Sequence, residues 1–144
     1  MNYFNSGNVT IEDLKQFLLA RKIQPSIHRI KILEYLSKNF VHPTADVIYQ
    51  ALNDEIPTLS KTTVYNTLKL FLEHGIVIDL TIDGTEVRYD INTTPHSHFK
   101  CVKCGAIYDI EIPESIKKPE EIDGHKISGM QIYTYGICKK CREV

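Results

Sequence analysis

The sequence predicts an α+β protein in two parts: helices closed by a β-hairpin over residues 1–91, and a smaller mixed unit built around paired cysteines over 96–144. Three observations carry this prediction. Apolar residues recur at helical spacing, each run behind a Ser or Thr, as far as Gly75. The period then changes to two on either side of Asp83-Gly84. Finally, four cysteines fall into two Cys-x-x-Cys pairs beyond that hairpin.

The elements follow in order. Thr10 caps a helix with Ile11, Leu14, Phe17 and Leu18 on one face, and Ser26 precedes a second carrying Ile27, Ile30, Leu33 and Leu36. Pro43 and Thr44 introduce Val47, Ile48, Ala51 and Leu52. A fourth helix starts at Ser60, runs through Val64, Leu68, Phe71 and Leu72, and stops at His74-Gly75. From Ile76 to Ile91 the pattern is a hairpin, because Asp-Gly takes the positive φ angles of a two-residue turn. With Asp83 and Gly84 at its tip, Ile82 faces Thr85, Leu80 faces Val87 and Ile78 faces Tyr89, while Asp79 faces Arg88 and Thr81 faces Glu86. Helices followed by a two-stranded hairpin give the layout of a winged helix, in which the helix before the hairpin enters the DNA major groove. Residues 92–95, Asn-Thr-Thr-Pro, read as a connector. Beyond it, strands are expected at Ala106–Ile110 and Lys126–Tyr135, and any helix between Ile116 and Gly124 should start at or after Pro119.

Composition bounds the function. The chain has 144 residues, 42% hydrophobic and 24% charged, too apolar for disorder. It contains no apolar run long enough to span a membrane and no signal-like start, so a cytoplasmic location is expected. A formal net charge of −1 means that no general basic field draws it to nucleic acid. Any DNA contact must be local. The fourth helix offers Lys61, Thr62, Thr63, Tyr65, Asn66, Thr67 and Lys69, suited to phosphates and base edges but equally consistent with a solvated face; the hairpin behind it favours DNA. Arg21, Lys22, Arg29 and Lys31 are further phosphate candidates. Residues 11–75 hold eight basic and seven acidic side chains, so one such domain would bind weakly and a dimer is expected on a double-stranded operator.

The cysteines, Cys101, Cys104, Cys138 and Cys141, suit one tetrahedral structural Zn²⁺, with redox dithiols as the alternative. Lys103, Lys139 and Lys140 between them argue for exposed turns rather than core packing. The 33 residues separating the pairs exceed a simple zinc ribbon, so other elements must lie between. Directly before the first pair stands His96-Ser97-His98, whose imidazoles share one side of a strand. His42, Asp90 and Asp109 are other plausible ligands, although the two carboxylates could simply be solvated; His28, His74 and His125 read as surface or packing residues.

His42-Pro43-Thr44-Ala45-Asp46, Thr63-Val64-Tyr65-Asn66-Thr67-Leu68, Arg88-Tyr89-Asp90, His96-Ser97-His98, Cys101-x-x-Cys104-Gly105 and Tyr135-Gly136-Ile137-Cys138-x-x-Cys141 together resemble the ferric uptake regulator (Fur) family, in order along nearly the whole chain. The resemblance is strongest to its peroxide-stress repressors, since the iron-uptake members tend to carry Glu at the places of Asp90 and Asp109. It implies a homodimeric, metal-dependent repressor and no enzyme, with an N-terminal winged helix and a C-terminal α/β dimerisation domain. It also implies a regulatory Fe²⁺ or Mn²⁺ held by His42, Asp90, His96, His98 and Asp109, with His42 and His96 as the residues peroxide oxidises. Three imidazoles and two carboxylates form a mixed shell that suits those metals. The family's histidine pair ahead of the second cysteine pair is replaced by Ser128-Gly129-Met130-Gln131, so a further metal site is not expected. A sensor of iron, manganese or zinc supply without peroxide reactivity is the alternative function. A metal-dependent hydrolase ranks last, for want of a separate nucleophile or base.

Overall fold

The computed structural model describes residues 8–39, 42–81, 86–93, 97–113 and 115–143. The chain divides into two compact units, Met1–Thr94 and Pro95–Val144.

Four helices form most of the first unit: α1 (Ile11–Ala20), α2 (Ile27–Lys38), α3 (Ala45–Leu52) and α4 (Lys61–Glu73). Each starts where a hydroxyl can satisfy an orphan amide. The side chains of Thr10, Ser26, Thr44 and Ser60 accept from the backbone N–H groups of Asp13, Arg29, Val47 and Thr63, and Asp13 closes a capping box by accepting from the Thr10 amide. At the far end of α4, His74 caps the helix and Gly75 takes φ +69°, the left-handed conformation that ends helices. The apolar faces meet in one core, with Leu14, Leu33, Ile48, Leu68 and Phe71 fully buried. Burial of each such side chain contributes about 1.5–3 kcal/mol, which is why the 3.6-residue period located these helices.

The hairpin strands are β1 (Ile78–Leu80) and β2 (Arg88–Asp90), antiparallel. Their register differs from the expected one by a residue: Ile78 pairs with Asp90, Asp79 with Tyr89 and Leu80 with Arg88. The turn at Asp83-Gly84 lies outside the described residues. What fixes the register is visible on the other edge of β2. The Tyr89 amide donates to the Pro43 carbonyl at 2.9 Å, Thr44 bridges Arg88, and the Arg88 guanidinium donates to the His42 carbonyl at 3.2 Å. Thus β2 lies between β1 and the segment that leads into α3, and the slip carries Tyr89 into the core and buries Asp90.

The second unit holds a three-stranded sheet in the order β4-β3-β7, with β3 (Ser97–Cys101) antiparallel to β4 (Ile107–Ile110) and parallel to β7 (Tyr133–Gly136). A parallel pair needs a crossover, and the chain between β4 and β7 supplies it. That crossover contains no helix among the described residues, before or after Pro119. It forms a small hairpin, β5 (Glu121–Ile122) with β6 (His125–Lys126), turning at Asp123 (φ 51°) and Gly124 (φ 82°). Two consecutive positive φ angles define the type I′ turn for which Asp-Gly is suited. The strand expected over Lys126–Tyr135 is accordingly split, part in β6 and part in β7. A short helix, α5 (Lys139–Arg142), follows Cys138. Among the described residues of this unit only Ser97, His98, Cys101 and Cys138 are buried. So small a core cannot support the unit by apolar burial alone.

Candidate metal centres

The four cysteine sulfurs lie within 4.8 Å of one another. The fold brings them together in two steps. Cys101 ends β3, and the knuckle after it folds back through Gly105 N–H to the Cys101 carbonyl at 2.9 Å. Cys138 lies two residues beyond β7, the parallel neighbour of β3, and caps α5, on which Cys141 sits. Cys101 and Cys138 are buried, Cys141 is half-buried and Cys104 exposed. Backbone amides stabilise the inner thiolates. The Cys104 and Cys138 N–H groups approach Cys101 Sγ at 3.5 and 3.3 Å, and such donors, that of Cys104 foremost, hold its pKa down at about 6. For Cys138 the main lowering influence is the Cys141 N–H, helped by the Tyr108 hydroxyl. Cys141 goes the other way, pushed up to about 12 chiefly by its hydrogen bond to Cys138. Without a cation, then, this cluster keeps protons on some sulfurs so that others can be thiolates. A dication removes the conflict and makes all four thiolates ligands, which is the donor set of structural zinc.

The remaining candidates form a His–carboxylate pair in each unit. In the first, His42 Nε2 lies 3.3 Å from Asp90 Oδ2, both side chains 4% exposed. His42 has φ 54°, an unfavourable region for a non-glycine residue, held by the bonds of its own and the next carbonyl to Arg88 and Tyr89. Asp90 is fixed by its other oxygen, which accepts from the Asn92 amide at 2.8 Å. In the second unit, His98 and Asp109 are cross-strand partners on β3 and β4, with Nε2 and Oδ1 3.3 Å apart. His98 is buried beside the Tyr133 ring, at 6.2 Å between centroids, and Asp109 is more open. Each pair brings one imidazole nitrogen within 3.3 Å of one carboxylate oxygen, donor types that suit a mixed N/O shell. His96 lies outside the described residues. Of the other histidines, His28 bonds Thr58 at 2.9 Å, His74 bonds the Leu70 carbonyl at 2.9 Å, and His125 is an exposed residue of β6.

On α4, Lys61, Thr62, Tyr65, Asn66 and Lys69 are exposed and Thr63 is half-buried, whereas Thr67 turns to the core and is only 5% exposed. An open cleft of about 600 Å³ runs between this face and the start of α2, lined by Arg29, Asn66 and Lys69 among others. Lys31 is poorly placed for phosphate, because Glu55 and Glu34 approach its ammonium group at 3.0 and 3.4 Å. Sequence reasoning missed two features. One is the Asp123-Gly124 hairpin, signalled by the same dipeptide as the first turn. The other is Tyr108, whose pKa is held above its usual value chiefly by the Cys138 side chain. Its only signal is alternation along β4, which sends Tyr108 to the opposite side from Asp109.

A winged-helix unit coupled to a cysteine-clustered unit defines a class of metal-dependent DNA-binding regulators. A model of the ferric uptake regulator family matches residues 21–135, and the chain belongs to that family. It is 40% identical over 134 residues to the peroxide operon regulator of Bacillus subtilis, covering 91% of this chain and 90% of that protein. Among solved structures it resembles the ferric uptake regulator of Francisella tularensis with iron, at 28% identity and a TM-score of 0.66, over 83% of this chain and 95% of that one. It also resembles the PerR of Streptococcus pyogenes, described for peroxide sensing and gene regulation, at 31% identity and a TM-score of 0.52, over 91% and 92% of the two chains. Among the described residues no helix is long and apolar enough to cross a membrane.

Proposed function

We propose that this chain is a cytoplasmic, homodimeric repressor that binds a double-stranded operator when Fe²⁺ or Mn²⁺ is bound, and that peroxide releases it by oxidising histidine ligands of the iron form. The observation that carries the reading is the buried His42–Asp90 pair in one unit and the His98–Asp109 pair in the other, in a chain 40% identical to a peroxide operon regulator. With His96 these four residues make the ligand set, and Cys101, Cys104, Cys138 and Cys141 hold the structural zinc. On this reading residues 1–91 are the DNA-binding domain, 92–95 the connector and 96–144 the dimerisation domain. Exposed Ile110, Ile122, Tyr135 and Ile137 give the second unit apolar surface for a second copy.

An ion held by ligands from both units favours one arrangement of them over others, and the energy available is the difference in its affinity for those arrangements. Bound Fe²⁺ supplies the electrons that reduce hydrogen peroxide beside its ligands, chemistry that Mn²⁺ does not readily give. On this reading His42 and His96 are the residues oxidised: an oxygen added to either ring spoils the nitrogen lone pair needed for the metal. The test is DNA binding by the Fe²⁺ and Mn²⁺ forms before and after brief peroxide. Both should bind, and only the Fe²⁺ form should then let go. Retention by both forms would favour a sensor of metal supply instead.

The α4 face gives a second prediction. Tyr65, 51% exposed, should read a base edge, so Tyr65→Ala is expected to cost about 1–3 kcal/mol at particular base pairs. Lys69→Ala should weaken binding to all duplexes alike and lower the salt dependence by about one counterion. Titrations of matched and mismatched duplexes at two salt concentrations separate the two effects.

A further inference from the structure

We infer that Arg88 is a positioning residue of the His42–Asp90 pair, its guanidinium holding the His42 backbone in the left-handed conformation from which the imidazole meets the carboxylate. This deepens the reading of His42 and Asp90 as metal ligands, on which it rests, with a residue that itself offers an ion no donor atom.

His42 does not choose its backbone freely. Its φ of 54° lies in a region that non-glycine residues keep only where the surroundings impose it. The next residue is Pro43, and a proline favours extended backbone in the residue before it, so the local sequence works against this conformation. Contacts from β2 impose it. The Arg88 guanidinium donates to the His42 carbonyl at 3.2 Å, the Arg88 backbone bridges Thr44, and the Tyr89 amide donates to the Pro43 carbonyl at 2.9 Å. Of these, only the guanidinium bond ends on His42 itself, and only it comes from a side chain.

Arg88 and Asp90 are two residues apart on β2, so their side chains leave the strand on the same side. One reaches the His42 carbonyl and the other lies 3.3 Å from its imidazole. Alternate residues of a single strand thus grip His42 at its backbone and at its ring, and the approach of nitrogen to carboxylate is set by the backbone as well as by rotamers. Arg88 is half-buried, which protects its bond from competing water. The guanidinium is also a positive charge near the pair, and by itself that charge disfavours a dication. Positioning and repulsion therefore predict opposite signs for its removal. Groups that orient a ligand without touching the metal are worth roughly ten- to a hundredfold in affinity, and losing one anchor while the strand pairing remains belongs at the lower end, about tenfold.

The test titrates Mn²⁺ into the full-length, zinc-loaded protein and counts the free ion by its electron paramagnetic resonance signal, with neither DNA nor peroxide present. Arg88→Met keeps the apolar stem and drops the guanidinium; it should bind Mn²⁺ about tenfold more weakly. Exchange of the Tyr89 amide with deuterated water, followed by nuclear magnetic resonance in the Mn²⁺-free protein, should be faster than in wild type. Arg88→Lys, which keeps the charge and a donor, should recover part of both. Ile32→Val thins the same core on α2, away from residues 42–44 and 88–90, and should bind Mn²⁺ as wild type does. Wild-type affinity in Arg88→Met overturns the inference and leaves the ligand reading intact. Tighter binding overturns it as well, by making repulsion the larger effect, and equal weakening in Ile32→Val does so by assigning the loss to stability. A wild-type chain that takes up no Mn²⁺ refutes the ligand reading, and the role of Arg88 falls with it.

Discussion

Cys101→Ser and Cys138→Ser are each expected to empty the zinc site and unfold residues 95–144. The expectation follows from how little else holds that unit. Its buried side chains among the described residues are Ser97, His98, Cys101 and Cys138, so half of them belong to the proposed zinc site and none is a large aliphatic. Structural zinc sites supply apparent binding free energies of about 10–16 kcal/mol near neutral pH, all of it folding energy where no site exists in the unfolded chain. The two buried cysteines also link the ends of β3 and β7, the parallel pair that closes the sheet. The first unit has its own apolar core and should survive. Zinc content by elemental analysis, size-exclusion chromatography and circular dichroism check this. A zinc-free, folded dimer of the double variant would contradict it.

The second large effect is expected from the histidines. His42→Ala and His98→Ala should each abolish metal-stimulated DNA binding at Mn²⁺ concentrations that saturate the wild type, a loss of at least about a hundredfold if one of five ligands is removed and the DNA-competent arrangement is no longer favoured. His42 matters twice. Besides its nitrogen, its carbonyl accepts from Arg88 and its left-handed backbone fixes where Pro43 meets Tyr89. His42→Asn, which tolerates positive φ, is therefore the cleaner companion variant. Zinc content should be unchanged in all three. Duplex binding measured across a Mn²⁺ titration reads the effect, and wild-type affinity in His98→Ala would exclude that residue as a ligand.

Much of this was legible in the sequence because the signals were short in range. A hydroxyl three residues ahead of an amide needs no tertiary partner, so Thr10, Ser26, Thr44 and Ser60 announce their helices directly. Cys-x-x-Cys spacing is a local geometric fact of the same kind. What the sequence misplaced depends on distant chain. The β1–β2 register is set by the segment at 42–44, more than 40 residues upstream, and the turn dipeptide alone says nothing of that third partner. Thr67 looks polar in a list of residues, yet the helix turns it inward. In the crossover Pro119 warned against a helix interior, but the Asp123-Gly124 turn that makes it a hairpin went unread. The influence of Tyr108 on the Cys138 thiol joins residues 30 apart, and no spacing rule reaches it.

The most direct test of the account is peptide mass spectrometry of the Fe²⁺-loaded, zinc-containing protein after brief exposure to hydrogen peroxide, with released zinc measured in the same sample. The account predicts one added oxygen on the peptide carrying His42 or His96, with Cys101, Cys104, Cys138 and Cys141 reduced and zinc retained. Untouched histidines with oxidised cysteines and zinc in solution would contradict it and make the thiolates the peroxide switch.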